Sequence, residues 1–335
     1  MKNNINNKVI LLTGGTGSFG KGFIKKIIKN YPRIKKLIIF SRDELKQYEI
    51  SQEIDLKKHK FIRFVIGDIR DKDRLKFAIK DVDIIIHAAA LKQVPTAEYN
   101  PFEFIKTNIV GAQNIIDCAM DSKVQKVIAL STDKACAPIN LYGATKLCSD
   151  KLFVAANNIV GKRNLKFCIV RYGNVDGSRG SIIPFFLKQK EDGFLTVTDP
   201  SMTRFSIDLD QGINLVLDAV NETVIGGEII VPKIPSYRIT DLAKAICSNC
   251  RIKIVGIRPG EKIHEQMITE NDSYNTFETK DKYIILPSHD MMRRNYYLKQ
   301  KKYKPVKVGF SYDSLKNPSF LSISQIKKII KKFLN

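Results

Sequence analysis

The chain has 335 residues, of which 44% are hydrophobic and 27% charged, with a formal net charge of +22 at pH 7. That is room for an ample core, and no stretch reaches the roughly 18 apolar residues a membrane helix needs. The lysines are spread along the whole chain, without helix-turn-helix, zinc-finger or aromatic RNA-binding patterns; a nucleic-acid partner is therefore not expected, and the basic surface suits an acidic small molecule.

In chain order, the apolar run Val9 to Leu12 is too short for a secretion signal and leads directly into glycines. It reads as the first strand of a cytoplasmic protein. Strands are predicted at Lys8–Thr13, Leu37–Phe40, Phe61–Ile66, Val82–His87, Val127–Leu130 and Phe167–Arg171. Between them lie apolar residues at helical spacing, such as Phe23, Ile24, Ile27 and Ile28. Strand–helix alternation of this kind predicts an α/β, doubly wound parallel sheet. After about residue 173 the alternation loosens and Pro184, Pro200, Pro232, Pro235 and Pro259 appear. This half is expected to supply a smaller C-terminal substrate lobe. Residues 271–320 show weak periodicity and receive no elements. From Ser322 to Leu334, Ile326, Ile329, Ile330 and Phe333 share one face, as in a packed terminal helix. Cys247 and Cys250 have no second pair or nearby His to complete a zinc site. They read as a chance pair of reduced thiols, and no metal is expected.

The first strand ends in Thr13-Gly14-Gly15-Thr16-Gly17-Ser18-Phe19-Gly20. Glycines 14, 17 and 20 between a strand and a helix let the backbone turn tightly and approach a pyrophosphate at a helix N-terminus. The second strand is followed by Ser41-Arg42-Asp43. Ser and Arg at that point suit a 2′-phosphate, which favours NADP over NAD, with Asp43 as the opposing sign. Asp68 after the third strand is placed to meet the adenine amino group. Ala88, Ala89 and Ala90 after the fourth let backbone lie against the cofactor. The expected division is residues 1–172 with about 204–234 for the NADP-binding domain, and about 173–203 with 235–335 for the lobe.

The fifth strand ends in Ser131-Thr132-Asp133-Lys134, and Tyr142 and Lys146 follow four residues apart on a helix face. An ammonium beside a phenol favours the phenolate. A base near neutral pH requires a shift of about 3 units, roughly 4 kcal/mol, toward which Lys146 and a cationic cofactor ring contribute. Ser131 or Thr132 is placed to hydrogen-bond a substrate oxygen while Tyr142 takes its proton.

The whole set resembles the extended short-chain dehydrogenase/reductases of Rossmann type. More closely, it is similar to the inverting UDP-N-acetylglucosamine 4,6-dehydratases that begin pseudaminic acid synthesis in bacteria. The matching runs include Leu12 to Lys21, Ser41 to Gln47, His87 to Ala90, Ala97 to Pro101, Leu130 to Lys134 and Asn140 to Phe153. They continue through Arg171 to Val175, Gly177 to Ser181, Met202 to Phe205, Val231 to Ser236 and Ile257 to Lys262. The resemblance covers roughly residues 8–270. It implies a redox-neutral dehydration: oxidation at C4, loss of water across C5 and C6, and hydride return to C6. Tyr142 acts on the C4 hydroxyl, Asp133 helps expel the C6 hydroxyl and Lys134 removes the C5 proton. Lys134 as a base must have its pKa lowered by burial or nearby cations.

The resemblance also implies cofactor contacts at Lys46, Ile69, Lys92 and Asn108, besides Tyr142 and Lys146. Substrate contacts fall to Asn174, Arg179, Arg204, Arg258 and Glu261, with Lys92 again, since Arg suits bidentate diphosphate binding. Three positions depart from the family pattern. Gln93 stands where a His is usual, Ser206 where a Trp is usual, and Asp176 where a small apolar residue is usual. A C4 epimerase and a non-catalytic NADP-binding regulator are the competing readings. The Asp133-Lys134 pair opposes the first and the retained Tyr142-Lys146 pair the second. A homo-oligomer, dimer or hexamer, is expected through helices around 102–122 and 140–158.

Overall fold

The six predicted strands form where short β-branched and apolar runs can be covered by helices on both faces. In the computed structural model, which describes residues 5–178, 180–223, 225–288 and 290–334, the first half runs β1 (Val9–Thr13), α1 (Ser18–Asn30), β2 (Lys36–Ser41), α2 (Glu44–Glu53), β3 (Ile62–Ile66), α3 (Lys72–Ile79) and β4 (Ile84–His87). It continues with α4 (Val94–Tyr99), α5 (Pro101–Phe104), a π-helical turn (Ile105–Val110), α6 (Gly111–Met120), β5 (Lys126–Thr132), α7 (Leu141–Ala156) and β6 (Lys166–Tyr172). The second half runs β7 (Asn174–Val175), α8 (Ile182–Lys190), β8 (Phe194–Val197), β9 (Thr203–Ile207), α9 (Leu209–Glu222), β10 (Ile229–Pro232), β11 (Ser236–Arg238), α10 (Ile239–Ile246) and β12 (Arg251–Ile254). It closes with β13 (Gln266–Ile268), β14 (Thr276–Glu278), β15 (Lys282–Ile285), α11 (Met291–Leu298), β16 (Lys304–Pro305), β17 (Tyr312–Asp313) and α12 (Ile323–Leu334).

Ten strands make one sheet in the order β16-β14-β15-β10-β6-β5-β4-β1-β2-β3. From β3 to β10 every pairing is parallel. Successive residues of a strand point to opposite faces. Ile10 and Leu12 accordingly pack with Phe23 and Ile24 of α1 and Val216 and Val220 of α9. Val9 and Leu11 pack with Leu75 of α3, Ile115 of α6 and Phe153 of α7. Strand β4, Ile84-Ile85-Ile86-His87, is buried along its length because both its faces are covered. Helix α9 starts at a capping box in which Asp208 and Gln211 satisfy each other's backbone N–H groups.

The segment read as lobe divides differently from the sequence expectation. Residues 276–305 add β15, β14 and β16 antiparallel to the β10 edge of the main sheet. Phe277, Ile284, Leu286 and Tyr297 give that edge a small core of its own. These strands are two to four residues long, too short to carry a readable period.

The lobe itself holds the β7-β9-β11 sheet and the β8-β12 pair. Its core joins Ile183, Phe186, Leu195 and Leu242 to Ile326 and Ile330 of α12, so the terminal helix packs inward. The Phe333 side chain lies outside the described residues. Cys247 and Cys250 are joined in a disulfide, against the expectation of reduced thiols. Helix α10 ends just before them, and the following turn brings their Cα atoms within 5.4 Å. Among the described residues no helix is long and apolar enough to cross a membrane.

Candidate active site

In the main sheet the strand order reverses between β1 and β4. Chains leaving those two strands at their carboxyl ends diverge and open a crevice. A cavity of about 800 Å³ lies there, walled by the strand ends on one side and the lobe on the other. Gly14 follows β1 at φ +67°, and a Cβ on it would sit 2.8 Å from the Ala89 backbone, so only glycine fits. A Cβ on Gly17 would meet only the Gly14 carbonyl, at 3.4 Å, and is otherwise in open space. Helix α1 begins just after Gly17 with no side-chain cap. Its first N–H groups and positive dipole end are therefore directed at an anion position. Thr16, Ser18 and Phe19 line the cavity with them. Gly20 does not; a Cβ there would lie 2.1 Å from the Gly15 carbonyl oxygen, so this glycine serves helix-to-loop packing.

Thr13 ties the two halves of the crevice together. Its hydroxyl lies 2.9 Å from His87 Nδ1 and accepts the Ala89 N–H at 3.3 Å. His87 is fully buried, and desolvation, with the Lys146 charge, pushes its pKa down to about 3. Ile69, Ala88, Ala89, Ala90 and Lys92 line the wall this bridge supports. Desolvation and the like charge of Lys134 lower the Lys92 ammonium.

At the far end Ser41, Arg42 and Lys46 line the cavity. The Asp43 carboxylate caps α2, accepting the Lys46 N–H at 2.9 Å and pairing with the Lys46 ammonium. Asp68 lines the same end but accepts from Arg70, through its backbone at 2.9 Å and its guanidinium at 2.8 Å, and faces Arg42 at 3.6 Å. Asn108, expected at the cofactor, is instead buried behind the wall. Its amide donates to the Leu91 carbonyl at 2.9 Å and the Thr145 hydroxyl at 3.0 Å, and accepts the Leu91 N–H at 2.9 Å. The π-helical turn that carries it aims it at backbone rather than at the cavity.

The residues expected to be catalytic gather where β5 ends. The Ser131 hydroxyl donates to Asp150 at 2.7 Å, and Arg171 donates to the same carboxylate oxygen at 3.1 Å. Its proton is thus engaged by protein. Thr132 donates to Asp133 at 2.9 Å. Lys146 is buried and donates to the Leu130 carbonyl at 2.8 Å; desolvation lowers its pKa. Burial pushes the Tyr142 phenol up to about 12, opposed by the Lys134 charge and a hydrogen bond with Thr132. The Lys134 charge thus favours the phenolate, while Lys146, which lines the same cavity, is held on the Leu130 carbonyl.

Lys134 itself departs from expectation. Its ammonium sits 3.1 Å from Asp133, 3.2 Å from Glu265 and 3.4 Å from the Asn174 side-chain oxygen. Burial acts to lower its pKa, but the two carboxylates outweigh burial and raise it. Asp133 is fully buried and its Oδ2 has no hydrogen-bond partner among the described residues. Desolvation raises its pKa and favours the neutral acid. Glu265 goes the other way: desolvation opposes ionisation, but Lys134 and Arg204 hold its carboxyl below the ordinary range. No motif in the sequence singles out Glu265, which lies in the loop before β13.

Asn174, Arg204, Arg258 and Glu261 all line the cavity. Arg204 is less free than a diphosphate fork requires. Its guanidinium donates to the Thr203 and Ile263 carbonyls at 2.8 and 2.9 Å and faces Glu261 at 3.6 Å and Glu265 at 3.9 Å. Arg258 is exposed on the cavity wall. Arg179 lies outside the described residues.

The sequence profile of the polysaccharide biosynthesis protein family matches residues 10–287. The inverting UDP-N-acetylglucosamine 4,6-dehydratase of Campylobacter jejuni is 53% identical over 331 residues, 97% of this chain and 98% of that protein. A UDP-glucose 4-epimerase of Rickettsia bellii is 40% identical over 332 residues, 96% of this chain and 95% of that protein. Among solved structures, Pen from Bacillus thuringiensis superposes with a TM-score of 0.88 at 36% identity, covering 98% of each chain.

Two of the three sequence departures meet in space. The Ser206 hydroxyl donates to Asp176 at 2.6 Å where β7 and β9 pair, beside Asn174. Burial pushes Asp176 up to about 7, with the Ser206 hydrogen bond opposing and Asp208 adding to the rise. The folded state then binds this proton more tightly than the unfolded chain, so stability falls as pH rises from about 4 to about 7 and levels off above. Asp176→Asn is expected to flatten that fall, measured as urea unfolding against pH. The variant is expected to exceed the parent near about pH 8, with the gap closing toward about pH 4. Parallel curves for the two proteins would contradict this.

Proposed function

This chain belongs to the polysaccharide biosynthesis protein family, and from that membership we propose that it converts UDP-N-acetylglucosamine to UDP-2-acetamido-2,6-dideoxy-4-hexulose with inversion at C5. The observation that carries the reading is Lys134, which lines one cavity with Tyr142 and the glycine loop and is paired at 3.1 Å with the buried Asp133 at the end of β5. A bound nicotinamide dinucleotide supplies the hydride-accepting and hydride-donating chemistry that leaves the conversion redox-neutral.

The chain's own groups fit that cofactor. Gly17 and the uncapped α1 N-terminus hold its pyrophosphate. Ser41, Arg42, Asp43 and Lys46 line the end proposed for the ribose, and the Asp43 carboxylate, the group that would repel a 2′-phosphate, is engaged by the Lys46 N–H and ammonium. This favours NADP. Tyr142 takes the C4 hydroxyl proton, with the Lys134 ammonium favouring its phenolate. A ketone at C4 acidifies the C5 proton, which Lys134 removes. Asp133, whose pKa burial raises, acts as the acid that protonates the departing C6 oxygen to give water. Lys146 and Ser131 line the cavity beside Tyr142, each oriented by a bond within the protein, to the Leu130 carbonyl and to Asp150. Asn174 and the exposed Arg258 meet the sugar and the diphosphate. The product suits a cytoplasmic glycan-precursor route of the pseudaminic acid type.

Incubation with UDP-N-acetylglucosamine in D₂O, followed by mass spectrometry and proton NMR, tests this reading. Loss of one water with deuterium at C5, without stoichiometric added cofactor, is expected. Tyr142→Phe is expected to slow it by about 10²–10⁴-fold. A product of unchanged mass with inverted C4 would instead support the epimerase reading that the Rickettsia relative raises. For the cofactor, titration is expected to give tighter NADP than NAD binding, with the preference reduced about tenfold in Arg42→Ala. Equal affinities in the parent would contradict the assignment.

A further inference from the structure

The mechanism above leaves one buried ionisable group in the reacting cluster without a task. Glu265 is 2% exposed and contributes to the cavity wall. Its Oε1 faces Lys134 Nζ at 3.2 Å and Arg204 Nε at 3.9 Å, while Oε2 is buried with no hydrogen-bond partner among the described residues. Its backbone is locked in place. The Glu265 N–H donates to the Ser314 hydroxyl at 2.9 Å, and its carbonyl accepts the Ser314 N–H at 2.8 Å. The Ser314 hydroxyl is in turn bonded to Thr203 of β9. A carboxylate buried this deeply carries a desolvation penalty that its neighbours must offset, and a half-satisfied one calls for a reason.

The reason lies in the charge on Lys134. The charge on that ammonium interacts with Asp133, Glu265, Arg204, Lys92, Tyr142 and Tyr237, and the Lys262 charge also acts on Glu265. An ammonium cannot remove a C–H proton until it has passed on one of its own. Asp133 touches it but is needed as the neutral acid for the C6 oxygen. Glu265 is the remaining acceptor in contact.

Resting on the dehydratase reading, we propose that Glu265 is a positioning residue that anchors the Lys134 ammonium in the free protein and receives one of its protons once substrate fills the cavity. Excluding water from the pair favours the neutral amine and acid over two buried charges. The elimination then balances. A proton moves from Lys134 Nζ to Glu265 Oε1, and the freed amine takes the C5 proton. The C5–H electrons form the C5–C6 double bond as the C6–O bond breaks, and Asp133 gives its proton to the leaving oxygen. Glu265 returns its proton through Lys134 to Asp133, both of which Lys134 contacts.

Glu265→Gln in the cofactor-loaded protein tests this, because it keeps the side-chain shape and removes the acceptor. Deuterium incorporation at C5 is expected to fall about 100-fold with KM changed less than about twofold. Reduced cofactor should accumulate, because C4 is still oxidised. Glu265→Asp, which keeps the acceptor, is expected to recover part of the exchange. A Gln variant that loses water at the parent rate would overturn the proposal, as would equal losses of C4 oxidation and C5 exchange. Should the Gln variant fail to fold, the Asp variant decides: exchange slowed more than C4 oxidation supports the proposal, and proportional losses overturn it. A parent protein that does not dehydrate UDP-N-acetylglucosamine would remove the functional reading and this inference with it. An active parent with an equally active Gln variant removes this inference alone.

Discussion

The site depends on one half-buried cation. An ammonium partly taken out of water is tolerated where acidic groups replace the lost hydration, and Lys134 has the Asp133 carboxyl group at 3.1 Å and the Glu265 carboxylate at 3.2 Å. The two partners come from different parts of the molecule. Asp133 is fixed by the end of β5, and Glu265 by the loop before β13, through Ser314 and β9. The cluster is therefore complete only when the lobe lies against the main sheet. Arg204 reinforces this, since its guanidinium binds two lobe carbonyls and faces Glu261 and Glu265. The same charge reaches across to Tyr142, so phenol, amine and acid respond to one another.

The other half of the cavity is shaped by backbone rather than by charge. Gly14 and Ala89 approach so closely at the strand-order reversal that no side chain fits between them. Thr13 and His87 bridge the two strands beneath that contact, and Asn108 fixes the Leu91 wall from behind. Pyrophosphate-binding geometry is thus built into the sheet, while the chemistry is supplied by groups that the lobe completes. A half shaped by backbone and a half completed by the lobe meet at a topological switch point, where open sheets bind ligands.

What was legible in the sequence follows from the range of the interaction. Strand positions such as Ile84 to His87 and the loop Gly14 to Gly20 are local patterns, and they formed where expected. Residues 271–320 were not legible, because their short antiparallel strands have no period of their own and are set by the exposed edge of β10. Through-space electrostatics was hidden as well. The charge of Lys134 on Tyr142 has no spacing signal, and Lys134 reads as a lysine to be depressed because the distant Glu265 cannot be seen. Arg204 and Asn108 were placed near the right site but with their polar atoms turned to protein. Asp176 and Ser206 looked like two separate departures and are one hydrogen-bonded pair.

The most direct test of this account is the protonation state of Lys134 in the free protein. It can be followed by NMR of ¹³Cε- and ¹⁵Nζ-labelled lysine, with the Lys134 resonance identified by its loss in Lys134→Met. Held by the Glu265 carboxylate with the Asp133 carboxyl group beside it, Lys134 should remain an ammonium beyond about pH 10.4, the ordinary lysine value. A Lys134 resonance that titrates near neutral pH would show an amine already free to act as a base, and would contradict the charge arrangement on which the account rests.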